Sequence, residues 1–417
     1  MAAFTRQIIK NTKNVSIRNF FVSAINCQEA ASTQLPLTYL SDDEKALQET
    51  VSRLAKEQIQ PHVKSMEEEK KINDTVLKLL FENGLMGIQT PVEFDGSGCN
   101  FLSAILVVEE LSKVDPSVSA LVDIHNTLVN SVFFKYANQE QKQKYLPRLC
   151  TDMVGSFGLT EPSSGTDAFA LKTTAKKVGK EYVLNGSKMW ISNSDLSGVF
   201  LIMANADISK GYRGISCFIV DRDTPGFTIN RPEDKLGIVA SGTCLLTLED
   251  VKIPETNLLG HLGQGYKIAI DILNEGRIGI ASQMLGIAQG CFNATIPYTL
   301  ERQQFGRQIF NFQGMQFQIA EVATEIEAAR LLIYNAARLV EQGVPYIKQA
   351  SMAKYFASEM AQKATIRCVD WMGGVGFTKD FPQEKFYRDV KIGSIYEGTS
   401  NIQLVTIAKE IYKQFAQ

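Results

Sequence analysis

The sequence predicts an α+β protein in three zones: an α-helical N-terminal domain over 38–153, a small middle β-barrel or sandwich over 154–265 and a C-terminal helical bundle over 266–417. Two observations carry this expectation. The chain has 417 residues, beyond the roughly 250–300 at which a single hydrophobic core stops growing, so several subdomains are required. Its pattern also changes twice, from helical periodicity to short β-rich runs punctuated by turns and back, which marks helix, strand and helix in turn.

The segment before these zones reads differently. From Met1 to Gln28 there is no Asp or Glu, while Arg6, Lys10, Lys13 and Arg18 sit among Thr, Ser and Asn. At 100° per residue Phe4, Ile8 and Val15 share one helical face and Arg6, Lys10 and Lys13 the other, the pattern of a mitochondrial transit peptide over 1–28. A secretory signal would need an unbroken apolar stretch where Gln7, Lys10 and Asn11 intervene.

Each element then follows from its own signals. Ser41-Asp42-Asp43-Glu44 reads as an N-cap with an acidic first turn, and Asn83-Gly84 closes a helix begun near Asp74. Short β-rich runs follow, Phe200 to Met203, Ile215 to Val220 and Cys244 to Leu248, separated by Gly, Asp and Pro turns. Beyond Gly265 the seam Met315, Ile319, Val322, Ile326, Ala329, Ile333, Ala336 and Val340 steps by four and three residues. Such a stripe requires partner helices in an antiparallel bundle.

Composition narrows the chemistry. With 43 Lys and Arg against 45 Asp and Glu, no global field attracts nucleic acid, and any anion site must be local. No apolar run approaches the ~20 residues that span a bilayer, which argues against membrane insertion. Only His62, His125 and His261 are present, far apart and without Cys or acidic partners at ligand spacing, so no metal site and no Ser/His/Asp hydrolase is expected. The seven cysteines form no CxxC pair and read as reduced, mostly buried thiols. There is no GxGxxG after a strand and no GxxxxGK[ST]; Gly96-Ser97-Gly98 reads as a turn. A nucleotide cofactor would therefore be held by side chains and helix ends near two glycine-containing clusters, Phe157 to Asp167 and Asp370 to Phe377.

Four segments carry a family resemblance: Leu159 to Asp167, Asn185-Gly186-Ser187-Lys188-Met189-Trp190-Ile191-Ser192-Asn193, Glu301-Arg302-Gln303-Gln304-Phe305-Gly306, and Ile395-Tyr396-Glu397-Gly398-Thr399-Ser400-Asn401-Ile402-Gln403. In this order and at these intervals they resemble the acyl-CoA dehydrogenase family, across essentially everything after residue 28. The wording of Leu273 to Ala281 and of Trp371 to Phe377 is most similar to members acting on short 2-methyl-branched acyl-CoA, with straight short-chain members next. The resemblance implies FAD as cofactor, a C-terminal four-helix bundle, a homotetramer, reoxidation by electron-transfer flavoprotein and residence in the mitochondrial matrix. It also leaves a non-enzymatic assembly or scaffold protein on the same fold as an alternative, which would be expected to lose the base or the cofactor motifs.

Dehydrogenation of an acyl thioester needs a base for the α-proton and an acceptor for the β-hydride, and in a His-poor chain a carboxylate raised by burial suits the first task. Glu397 matches the family's catalytic base. A purely structural reading gives it a place before a helix opened by a capping box across Ser400 to Gln403. The resemblance assigns the thioester oxygen to the Glu397 N–H and a flavin ribityl hydroxyl, in the manner of an oxyanion hole. Some relatives carry the base just before the arginine matching Arg277; here that position is Gly276, and Glu275 is turned about 100° away.

By the same resemblance the flavin ring is held by Phe157, Gly158, Leu159, Thr160, Glu161, Pro162, Ser163, Ser164, Gly165 and Thr166, with Trp190, Ile191 and Ser192. Arg302, Gln313 and Asp370, Trp371, Met372, Gly373 and Gly374 would contact the pyrophosphate or adenosine half from a neighbouring subunit, and Thr399, Ser400 and Asn401 also match FAD contacts. Substrate-lining positions are Thr166, Tyr212, Tyr266, Asn274, Glu275, Gly276 and Arg277.

Overall fold

The computed structural model describes residues 36–416. The acid-poor segment over 1–28, with Cys27, lies outside the described residues. The N-terminal zone holds α1 (Asp42–Leu54), α2 (Val63–Glu69), α3 (Asp74–Glu82), α4 (Phe101–Ser112), α5 (Pro116–Asp123), α6 (Ser131–Tyr136) and α7 (Gln139–Thr151). The strands are β1 (Val154–Gly158), β2 (Thr174–Val178), β3 (Glu181–Ser192), β4 (Ser197–Asn205), β5 (Ile215–Asp221), β6 (Phe227–Pro232), β7 (Thr243–Pro254) and β8 (Leu258–Leu259). Then come α8 (Gly265–Glu301), a small hairpin of β9 (Gln303–Gln304) and β10 (Arg307–Gln308), α9 (Gln313–Glu341), α10 (Ile347–Met372), α11 (Gln383–Asp389) and α12 (Ser400–Phe415).

Helix α1 starts as its sequence implies. The Ser41 hydroxyl accepts from the Glu44 N–H at 3.2 Å and the Glu44 carboxylate from the Ser41 N–H at 2.8 Å, a closed capping box. Glu44 is buried and also receives Arg338 of α9 at 2.8 Å, so the cap fastens the N-terminal zone to the bundle. Between α5 and α6 the backbone widens into a π-helical turn, Ile124–Asn130. His125 is buried there. Its Nδ1 accepts from the Gly155 N–H at 3.2 Å, leaving Nε2 to donate to the Leu149 carbonyl at 2.8 Å, and burial pushes its pKa down to about 4. It is a neutral pin between helix and strand.

The sheet runs β6-β7-β3-β2-β4-β5-β8, with β1 parallel to β4. Alternation along β4 explains how one strand serves two cores. Phe200, Ile202 and Ala204 face a core internal to the sheet, where Tyr182 meets Phe218 at 5.0 Å and Phe200 meets Phe227 at 4.9 Å between ring centroids. Val199, Leu201 and Met203 face the helices, against Leu128, Val132, Phe133, Leu149, Ile268 and Ile272. The sheet thus packs on itself and on the helices at once.

In the bundle, α8, α9 and α10 surround one core that α4 also enters through Phe101, Leu102, Ile105 and Leu106, while α12 packs against α10. The stripe on α9 is its buried face: Ile319, Val322, Ile326, Ala329, Ile333 and Ala336 are buried, and Met315 and Val340 close its ends half-buried. Each fully buried Ile or Val contributes about 1.5–3 kcal/mol. Helix α8 carries Gly276 and Gly279 one turn apart. A Cβ at Gly279 would lie 2.0 Å from Asp123 Oδ1, so glycine lets α5 approach this backbone. Five of the six described cysteines are buried and all six are free thiols.

Candidate active site

Glu397 stands in the loop between α11 and α12 with φ 50, followed by Gly398 with φ 85. A left-handed glutamate costs about 1–3 kcal/mol and persists only where its surroundings fix it. The Gln403 amide donates to the carbonyls of Glu397 at 3.0 Å and Gly398 at 2.9 Å, bending the loop back onto α12. The capping box expected across Ser400 to Gln403 does not form. Because the left-handed pair delivers Thr399 in an extended conformation, the helix starts one residue earlier, with the Thr399 hydroxyl accepting from the Ile402 N–H at 3.3 Å. Ser400 instead donates to Glu359 at 2.8 Å, and Asn401 is exposed.

The Glu397 carboxylate points at α8. Its Oε2 is buried without a hydrogen-bond partner, and a Cβ built on Gly276 would lie 3.0 Å from that oxygen and 2.9 Å from Leu128 Cδ2. Burial pushes the Glu397 pKa up to about 7, against the opposing pull of Lys354 and Arg277. Asp123, seated on Gly279 with Thr127 donating to it at 3.1 Å, is pushed well above the ordinary carboxyl range by burial and then by Glu397. Gly276→Ala is expected to displace the carboxylate, lowering kcat at least tenfold while thermal stability changes by about 1–3 kcal/mol, the cost of overpacking. Wild-type kcat in that variant would show that the close approach is unnecessary.

The substrate-lining positions separate into groups. Arg277 is largely buried and donates to Asn274 at 2.9 Å and Ser351 at 3.2 Å, while its Nε has no partner. Glu275 faces elsewhere, paired with Lys135 in a cluster that includes Asp271 and Tyr136. Tyr212 and Tyr266 meet at 4.6 Å between ring centroids, with Phe169 at 4.4 Å from Tyr266. Thr166 is exposed three residues before Phe169.

The flavin-assigned segment divides as well. Phe157, Gly158 and Leu159 are buried, and a Cβ at Gly158 would meet Ile202 Cδ1 at 2.7 Å, so that glycine serves packing rather than ligand approach. Thr160 is half-buried and its carbonyl accepts from the Met189 N–H at 2.8 Å. Glu161 turns its side chain inward. It pairs with fully buried Lys188 at 2.7 Å and accepts the N–H groups of Lys172 at 2.7 Å and Thr173 at 3.1 Å. Burial raises that carboxyl, but Lys188 and these donors win and hold it below its ordinary value. Ser164 is also buried, donating to the Asp167 carbonyl at 2.6 Å. Pro162, Ser163, Gly165 and Thr166 remain exposed, and nothing lies within 4 Å of a Cβ at Gly165. Trp190 is 54% exposed with φ 61, next to buried Ile191 and half-buried Ser192, whose carbonyl accepts from Ser156 at 2.8 Å.

On the bundle, Arg302 and Gln313 are exposed on either side of the β9–β10 hairpin, whose Phe305 is 94% exposed. Asp370, Gly373 and Gly374 are exposed, with open space where a Cβ would stand on each glycine. Trp371 and Met372 turn their side chains inward. Both are buried in the bundle, the Trp371 Nε1 donating to Gln318 at 3.1 Å, because the end of α10 continues the apolar face of that helix. Sequence reasoning missed Asp123, Leu128, Lys354 and Gln403. Lys354 left a signal: it falls on the buried stripe of α10 with Ala350, Ala353, Ala357 and Ala361, where a charged residue is out of place unless it has partners.

Comparisons with known proteins agree in coverage and order. Family models described as acyl-CoA dehydrogenase N-terminal, middle and C-terminal domains match residues 41–152, 156–251 and 263–412. A Rattus norvegicus protein named short/branched chain specific acyl-CoA dehydrogenase, mitochondrial, is 58% identical over 380 residues, 91% of this chain and 88% of its own. The solved butyryl-CoA dehydrogenase from Megasphaera elsdenii superposes with TM-score 0.88 at 36% identity, covering 89% of this chain and 99% of its own. A glutaryl-CoA dehydrogenase from Mycobacterium smegmatis, solved with FADH2, superposes with TM-score 0.85 at 31% identity over 90% of this chain and 95% of its own. With all three domains matched in sequence and fold, the chain belongs to the acyl-CoA dehydrogenase family.

Proposed function

We propose that this protein is an FAD-dependent dehydrogenase of short, 2-methyl-branched acyl-CoA, forming the trans-2-enoyl-CoA. The observation that carries this reading is the Glu397 carboxylate: buried at Oε2, unpartnered, aimed at bare α8 backbone and poised near neutrality. A near-neutral base is best matched to proton abstraction at physiological pH. In this role Glu397 removes the α-proton and holds it, and the enclosing Gly276 and Leu128 keep water from the carboxylate. Arg277, fixed by Asn274 and Ser351, retains a free Nε donor for a polar part of the substrate. The aromatic group of Tyr212, Tyr266 and Phe169 offers an apolar wall.

The residues present fit a flavin. Trp190 presents an exposed indole, the β1–β2 loop and the end of β3 supply the hydroxyls of Thr160, Ser163, Thr166 and Ser192, and Glu161 is neutralised inside by Lys188. Bound there, FAD supplies the hydride acceptor. The remaining FAD contacts would come from Arg302, Gln313, Asp370, Gly373, Gly374 and Thr399 to Asn401, those on the bundle from a neighbouring subunit of a homotetramer. Electron-transfer flavoprotein as acceptor and the mitochondrial matrix as location complete the reading, in keeping with the mitochondrial relative.

The test is anaerobic bleaching of flavin absorbance by a panel of straight and branched acyl-CoAs, ranked by rate, with 2-methyl-branched short chains expected first. No bleaching by any of them would favour the scaffold alternative. The acid limb of kcat/KM against pH should lie near pH 7, where Glu397 loses its proton, with activity rising above it. A limb at the ordinary carboxyl value would overturn the poised-base reading.

A further inference from the structure

We propose that Lys354 is a positioning residue of this site, clamping the loop that carries Glu397 at both ends and supplying the positive charge that faces its carboxylate. This rests on Glu397 being the base. Lys354 is fully buried on α10, and its ammonium donates to the Gly393 carbonyl at 2.5 Å and to the Gly398 carbonyl at 2.8 Å. Those carbonyls bracket the loop, four residues before Glu397 and one after it. Ser358, one turn further along α10, donates to the same Gly393 carbonyl at 2.9 Å, and Gln403 to the Gly398 carbonyl at 2.9 Å. The left-handed turn at Glu397 is thereby held from α10 on one side and from α12 on the other.

Neither of the two bonded partners is a carboxylate, and Lys354 forms no salt bridge among the described residues. A buried ammonium satisfied only by neutral carbonyls keeps an uncompensated charge, costly unless a negative group lies nearby. Glu397 is that group. Burial draws the Lys354 pKa down to about 8 against the pull of Glu397, and of the groups acting on Glu397, Lys354 opposes its burial most, ahead of Arg277. The other charges in reach are Glu359 on α10, which favours the Lys354 ammonium, and Arg277 on α8, which disfavours it. Buried Asp123 from α5 and Tyr396 from the loop itself face Glu397 as well, the Tyr396 hydroxyl donating to Gln283. Asp123 lacks a cationic partner among the described residues, so Lys354 and Arg277 carry the positive side of this balance.

Two variants separate the clamp from the charge. Lys354→Met removes both, and Lys354→Gln keeps an amide donor but no charge. In the purified, flavin-loaded enzyme, both should move the acid limb of kcat/KM upward by about one pH unit or more, the effect of losing one close opposite charge. At neutral pH a one-unit move lowers kcat/KM by about fivefold, because the base already titrates near pH 7. Hydrogen exchange at 393–399, which needs no turnover, should quicken in Lys354→Met and much less in Lys354→Gln. An unmoved acid limb in both variants would overturn the charge role, and unchanged exchange in Lys354→Met the clamp. Either result can be told from a failure of the base assignment, because full turnover by Glu397→Gln alone would report that.

Discussion

Glu397→Gln should leave a folded, yellow flavoprotein whose turnover is lower by about 10²–10⁴-fold or more, the range expected when a positioned base is lost. The amide is isosteric and can occupy the same left-handed turn, still held by Gln403 through the main-chain carbonyls of Glu397 and Gly398. It cannot accept the α-proton. Substrate should still bind, so kcat falls far more than KM changes, and anaerobic bleaching by acyl-CoA should vanish from the spectrum. The carboxylate has no hydrogen-bond partner at Oε2 to lose, so the stability cost comes from leaving the buried Lys354 ammonium without its facing negative charge. Normal turnover in this variant would sink the assignment.

The second large effect lies on the flavin side. Lys188 and Glu161 form a fully buried pair at 2.7 Å, and Glu161 simultaneously ties the backbone at Lys172 and Thr173. Lys188→Met leaves a buried carboxylate without its counter-charge, which costs about 3–5 kcal/mol. The loop between β1 and β2 and the Trp190 turn, two residues from Lys188, should loosen together, releasing flavin on dilution or gel filtration. Adding Glu161→Leu should recover part of the stability, because removing both members of a buried pair is often nearly neutral. A Lys188→Met protein with wild-type melting and flavin retention would show that the pair does not brace this segment.

Much of the architecture was legible because local signals and the global fold agree. The Ser41 box, the Asn83-Gly84 stop, the short apolar runs of β4, β5 and β7 and the stripe on α9 each depend on neighbours within one or two turns. The scarcity of histidine pointed to a carboxylate base, and the one buried histidine, His125, is neutral and structural. Less was legible wherever a side chain had two possible directions. Glu161, Trp371 and Met372 belong to matching motifs yet turn inward, since a motif fixes residue type but not which side of the backbone is dry. The capping box at Ser400 failed for a related reason: the left-handed Glu397–Gly398 pair shifted the helix start by one residue.

The sequence by itself determined the order of helical and β zones, the carboxylate candidate and the family motifs, because these are properties of spacing along the chain. Tertiary structure alone decided the environment of that carboxylate. Gly276 and Gly279 bring Glu397 and Asp123 onto neighbouring turns of α8 from segments about 270 residues apart, and Lys354 arrives from a third helix. A carboxyl's affinity for protons depends on burial and on charges a few ångströms away in space. None of those distances is encoded in the interval between residues.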